Sequence, residues 1–184
     1  ISASSKIEWV IDGLSSHHST EKDADGNLWI CGREATDNFQ DDTIVKISPD
    51  GKVLYKKSVA TILVENGYSS LLSDAVKGSP NQDIVHLNDI QPALSDSKFW
   101  KKGDLFLSMR NNSAIILYRP STDNIVWSKT GPWKFQHDVD FISDHQISVF
   151  GNESFRMFNN NYITDDNQIR VTREEQASYV DIDD

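Results

Sequence analysis

Three histidines recur in one setting along this chain. His18 lies ten residues ahead of Leu28, which opens the apolar run Leu28-Trp29-Ile30, and His137 lies ten ahead of Ile147, which opens Ile147-Ser148-Val149-Phe150. His86 precedes Leu105-Phe106-Leu107 by nineteen, the excess being a polar insertion around Ser95-Asp96-Ser97-Lys98. Counted from the same run starts, Arg33, Arg110 and Asn152 are equivalent, each five residues on, and Asn88 stands two after His86. Such residues brought to one place are suited to holding an oxyanion. Arg supplies a fixed fork of donors, Asn a neutral donor, and His either a donor or a nucleophilic nitrogen.

Residues this far apart in sequence need a repeating scaffold to meet. The runs around them are short and rich in β-branched and aromatic residues, with turn chemistry between them. Asp25-Gly26-Asn27 leads into Leu28-Trp29-Ile30-Cys31; Pro49-Asp50-Gly51-Lys52 separates Thr43–Ile47 from Val53–Tyr55; Pro120–Asn124 separates Ala114–Tyr118 from Ile125–Trp127. These read as hairpins of antiparallel sheet. Each unit runs His, loop, turn, strand, hairpin, which is how a propeller blade looks in sequence. The expected fold is therefore all-β, about three blades of a β-propeller, in which equivalent histidines converge near the axis. One stretch breaks the pattern. Gly67–Gly78 has apolar residues at helical spacing and a Gly stop, and predicts a short helix inserted between blades. Lys98-Phe99-Trp100-Lys101 predicts a loop that packs an aromatic. Residues 1–184 are too short for a closed ring with these insertions, so the chain reads as one propeller segment, a piece of a longer propeller whose ring needs remaining blades from the same or another chain.

The formal net charge of −10 disfavours nucleic acid or an anionic membrane as general partner. A single cysteine, Cys31, excludes an intrachain disulfide and a Cys-based metal site. No apolar run is long enough to span a membrane. Taken singly, His86 and His137 could be structural imidazoles bonded to Asp89 or Asp138, and either His17 or His18 could be the one that faces a site. Arg33 reads as a salt-bridge partner of Glu34, and Trp29, Trp127 and Trp133 as blade core. Two other functions compete: a non-catalytic propeller that binds a ligand or partner protein at the same polar cluster, and a metal site from His18, His86 and His137. Arg110 would set a positive charge beside such a metal, so no metal and no other cofactor is expected.

Four segments resemble those of the bacterial aryl-sulfate sulfotransferases, which need no nucleotide sulfate donor. His86-Leu87-Asn88-Asp89-Ile90 is similar to the family's His-x-Asn segment, Leu107-Ser108-Met109-Arg110 to its strand ending in an active-site Arg, and Gln136-His137 with Val149-Phe150-Gly151-Asn152 to the segment of its transiently sulfated histidine. His17-His18 resembles a fourth segment lining the same site. Gly151 and Met109-Arg110-Asn111 depart from the family's usual residues. The resemblance implies a six-bladed propeller and a sulfuryl transfer from a phenolic sulfate ester to a phenolic acceptor. His137 would be the nucleophile, His86 and Arg110 catalytic partners, and His18, Asn88 and Asn152 would bind substrate, in a periplasmic or secreted setting. Fixed donors around the moving sulfuryl group would lower the barrier, and covalent holding by an imidazole would give ping-pong kinetics.

Overall fold

The computed structural model describes residues 6–35, 39–72, 82–153, 156–158, 168–170 and 174–182. They form a mostly β protein of antiparallel sheets with one α-helix. Strands β1 (Ser15–Lys22), β2 (Leu28–Ala35), β3 (Phe39–Ile47) and β4 (Val53–Ser58) make a meander, and helix α1 (Val59–Glu65) follows directly. The short β5 (Gln82–Asp83) pairs parallel to the start of β3. A second meander contains β6 (Leu87–Pro92), β7 (Leu105–Met109), β8 (Ala114–Arg119) and β9 (Asn124–Thr130). Then come β10 (Val139–Phe141), β11 (Gln146–Glu153), the small ribbon β12 (Arg156–Phe158) with β13 (Gln168–Arg170), and β14 (Glu174–Asp181). The third sheet runs β10-β11-β14.

Period-two alternation explains how the sheets stack. In the first sheet Trp29, Cys31 and Ile44 point toward the second, while Ile30, Val45 and Ile47 point the other way, against Trp9, Ile11 and Leu14. In the second, Leu105, Leu107, Met109, Ala114, Ile116 and Tyr118 face the first sheet. The intervening Phe106, Ile115 and Leu117 pack with Val139, Ile147, Val149 and Val180 of the third. Apolar positions on both faces of β7 and β8 thus fill two separate cores, and every residue of β7 is buried. Trp29 and Trp133 are core residues, and the insertion before β7 buries Trp100 against Phe106 and Phe141.

The hairpin turns use the expected chemistry. Asp23 accepts from the backbone N–H of Asp25 and Asn27 at 3.0 and 2.9 Å, closing the β1–β2 connection. Gly51, at φ +83°, lies beneath the Trp9 indole, where an added Cβ would come within 2.7 Å of a ring carbon.

The described α-helix is not where the sequence suggested. Of the predicted stretch, the described residues 67–72 hold a 3-10 turn, Ser69–Leu72, and 73–78 lie outside the described residues. The α-helix comes earlier. Ser58 caps it, its Oγ accepting from Thr61 N–H at 3.1 Å, and Val59, Ile62 and Leu63 supply the buried stripe at i, i+3, i+4. Gly67, at φ +81°, follows the end of this helix and does not begin another.

The sheets are also joined by polar groups, β1 and β3 to β6, and β6 to β10. Ile90 N–H donates to Ser19 Oγ (3.1 Å), Leu87 N–H to Asp42 Oδ2 (3.0 Å), and Val139 N–H to Asp89 Oδ2 (3.0 Å). Burial, helped by the charges of Asp138 and Glu21, pushes the Asp89 carboxyl up to about 7. Its folded-state proton affinity exceeds that of the unfolded chain, so the fold holds a proton that unfolding releases. The stability this confers is present below the unfolded carboxyl range and is lost as pH rises toward 7. Asp89→Asn removes that dependence. Urea midpoints measured at pH 5 and pH 8 should show the variant gaining roughly 2–3 kcal/mol on the wild type between the two.

Candidate functional site

Three predicted histidines lie at the same end of the three sheets. The ring centroids of His18 and His86 are 5.0 Å apart, those of His18 and His137 6.0 Å, and those of His17 and His86 5.9 Å. His18 Nε2 and His86 Nε2 approach to 3.0 Å, sharing a hydrogen bond.

Backbone geometry makes this possible. His18 and His86 both adopt left-handed conformations, at φ +55° and +52°, uncommon for a residue with a Cβ. Each adjoins a register shift, between Ser16 and Thr20 in β1 and between Leu87 and Asp89 in β6. Of the three histidines, His18 and His86 thus share a backbone conformation. A regular strand would send His17 and His18 to opposite faces; the irregularity at His18 leaves their centroids only 5.0 Å apart. The choice between the two resolves into both. His18 meets His86, and His17 Nε2 meets the buried Asp42 Oδ1 at 2.9 Å. His137 sits just before β10, its N–H donating to Phe150 O, while Phe150 N–H donates to Asp138 O, both at 2.9 Å.

Arg33 corrects one expectation. Glu34 is bonded by Lys56, and Arg33 turns the other way, to Asp42 Oδ1 at 3.5 Å and Asp83 Oδ2 at 3.1 Å. Asp83 Oδ2 also accepts from His86 Nδ1. Asp42 and Asp83 are the site residues that sequence reasoning missed. The hairpin register sets Arg33 directly opposite Asp42, and Asp83 lies three residues before His86, so spacing carried a signal for both.

Charge follows this arrangement. Desolvation acts to push Asp83 up, but the hydrogen bond from His86 and the charges of His86 and Arg33 hold it below the usual carboxylate range. His18 is pushed down to about 4 by partial burial first, and then by its crowding with His17, His86, His137 and Arg33. It is a neutral imidazole at pH 7.

The other predicted residues fall in different places. Arg110 follows β7; its backbone N–H bonds His86 O at 3.1 Å, and its guanidinium lies 4.7 Å over the Phe135 ring with Nη1 on Asn111 Oδ1. Asn88 is buried, and its Nδ2 donates to Gln136 O at 2.7 Å. Gln136, also buried, donates from Nε2 to Met109 O and Ala114 O at 3.0 and 2.9 Å. The backbone of Asn152 pairs with Glu175 in the third sheet, and its side chain lies outside the described residues. Among the described residues no group of three or more His, Cys, Asp or Glu is arranged to hold a metal ion, and no helix is long and apolar enough to cross a membrane.

The profile of the arylsulfotransferase (ASST) family matches residues 4–181. The chain belongs to the arylsulfotransferase family. Comparison with curated proteins and with solved structures returned no match. In this arylsulfotransferase chain the histidine end brings His17, His18, His86 and His137 together with Arg33 and the carboxylates of Asp42 and Asp83.

Asn88 and Gln136 couple the second sheet to the loop carrying His137. Asn88→Ala should leave the Gln136 carbonyl buried without its donor and cost about 1–3 kcal/mol, read as a lower urea midpoint with an unchanged slope.

Proposed function

We propose that the chain transfers a sulfuryl group from a phenolic sulfate ester to a phenolic acceptor through a sulfohistidine at His137. Three sheets stacked in sequence order, each with a histidine in or just before its first strand, support reading them as successive blades of a propeller. The observation that carries the reaction is the grouping of His18, His86 and His137 near Arg33, with Arg110 tied to His86 through its backbone N–H, in a chain of this family.

In this reading a neutral His137 nitrogen attacks sulfur, and the S–O bond to the aryl group breaks with its electron pair moving to the phenolic oxygen. The ring keeps its other N–H, so the intermediate is an imidazolium carrying SO₃⁻. An acceptor phenolate then attacks sulfur and releases His137. Arg110 serves the equatorial oxygens, since a guanidinium offers several donors to an anion without being itself deprotonated. Asn88, its amide committed to Gln136, acts by holding the His137 loop, and Asn152 adds a donor from the third sheet. Phenolic substrates outside the cytoplasm and further blades completing the ring belong to the same reading.

Full-length protein given p-nitrophenyl sulfate and phenol should release nitrophenol in an acceptor-dependent way, with parallel double-reciprocal plots. Without acceptor, the peptide containing His137 should gain the mass of one SO₃. His137→Asn should lower turnover by about 10³-fold or more. Acceptor-independent or absent release, unchanged by His137→Asn, would overturn the reading. Ligand binding that persists in the variant would then favour a non-catalytic binding role for the same cluster.

A further inference from the structure

We propose that Phe135, with Asn111, is a positioning residue: the two hold the Arg110 guanidinium at the join of the loops that carry His86 and His137, with its charge left for an aryl sulfate anion. The use of that charge rests on the sulfuryl-transfer reading, while the way it is held does not.

Among the described arginine side chains, two are committed to carboxylates. Arg33 meets Asp42 and Asp83, and Arg119 grips Asp104 with Nε and Nη2 at 2.8 and 2.7 Å. Arg110 differs. Among the described residues its guanidinium meets the Asn111 amide oxygen, 2.9 Å from Nη1, and the Phe135 ring, whose centroid is 4.7 Å from Cζ. Both partners are neutral. An aromatic face attracts a guanidinium without cancelling its charge, and one amide oxygen occupies only one of its N–H donors. The cation is therefore held by two groups and still has donors and charge for an anion.

The surrounding backbone aims both contacts. Phe135 is left-handed, at φ +50°, a conformation unfavourable for an aromatic L-residue and kept only where neighbouring structure holds it. Its neighbour Gln136 supplies that hold: Nε2 donates to Met109 O and Ala114 O, and its carbonyl accepts from Asn88. Met109 precedes Arg110, so one buried side chain ties the residue before the cation to the residue after the ring. Asn111 is oriented as firmly. Its Nδ2 donates to Asp83 O at 2.6 Å and its backbone N–H to Val85 O at 3.1 Å, which leaves Oδ1 for Arg110. The segment that anchors Asn111 leads into His86, and Phe135 stands two residues before His137. A sulfate ester bound at those histidines meets a guanidinium that does not have to be ordered first, and a preorganised donor stabilises developing charge better than a mobile one.

Two measurements on the full chain test this. In spectra of ¹⁵N-arginine-labelled protein the Arg110 Nε–H should be rigid and shifted upfield by the ring; Phe135→Leu should abolish both effects and Phe135→Tyr restore them. An Arg110 signal that is mobile in the wild type, or unchanged in Phe135→Leu, overturns the proposal whatever the activity. Should Phe135→Leu not fold, the wild type and Phe135→Tyr still carry this test. Binding separates the ring's role from others. Phe135→Leu should weaken a non-reactive aryl sulfonate about fivefold to tenfold and leave the affinity for the uncharged aryl sulfonamide unchanged. The loss should vanish in an Arg110→Met background. An equal loss on both ligands would mean that the ring contacts the aryl group itself, and additive losses would mean that it acts apart from Arg110; either result overturns the proposal. If the wild type binds no aryl sulfonate, the transfer reading fails, and the arginine spectra still decide how Arg110 is held.

Discussion

A carboxylate taken out of water must be surrounded by donors, and Asp42 is the buried carboxylate on which the histidine end is built. It accepts from Leu87 N–H of the second sheet, from His17 of β1 and, at longer range, from Arg33 of β2. One side chain thereby fixes the distance between two sheets and the orientation of His17 and Arg33 above them. Loss of its partners would strand a buried charge, which costs far more than the gain from any one of these bonds. Asp89 repeats the device between the second and third sheets, there with a carboxyl that burial keeps close to neutral.

Left-handed backbone at His18 and His86 is the second constraint. A conformation unfavourable for L-residues persists only where surrounding structure holds it, and it is found where a side chain has to be aimed. Here the main chain on either side is tied down: Leu87 by Asp42, the β7–β8 turn by His86 O and Val85 O, and β1 by its pairing to β2. Two equivalent strained residues on different sheets bring their imidazoles nitrogen to nitrogen. Polar chemistry at this end and apolar packing below it are therefore parts of one arrangement, since Trp29, Leu107 and Ile116 fill the space between the same sheets.

The hairpins and the meeting of His18, His86 and His137 were legible in the sequence because each has a local signature: a Pro- or Gly-bearing turn, alternation of apolar residues, spacing to a strand start. Helix α1 escaped because Val59-Ala60-Thr61-Ile62-Leu63-Val64 is rich in β-branched residues and continues a strand without a break; only the Ser58 cap and the i, i+3, i+4 burial mark it. Gly67, taken as the start of a helix, belongs to the exit from the one before it. Arg33 was assigned to its sequence neighbour Glu34, yet adjacent residues on a strand point to opposite faces, and cross-strand Asp42 was the better candidate. Asp83 stands three residues before His86, a local signal, but its meeting with Arg33 depends on the long-range parallel pairing of β5 to β3.

The central claim is that His18, His86 and His137 form one ligand site for an aryl sulfate. Titrating full-length ¹⁵N-histidine-labelled protein with a non-reactive aryl sulfonate tests it directly, with exposed His145 as internal reference. The account predicts that the imidazole signals of His18, His86 and His137 move together along one binding curve while those of His145 stay fixed. Separate curves, or movement of His145 alone, would contradict it.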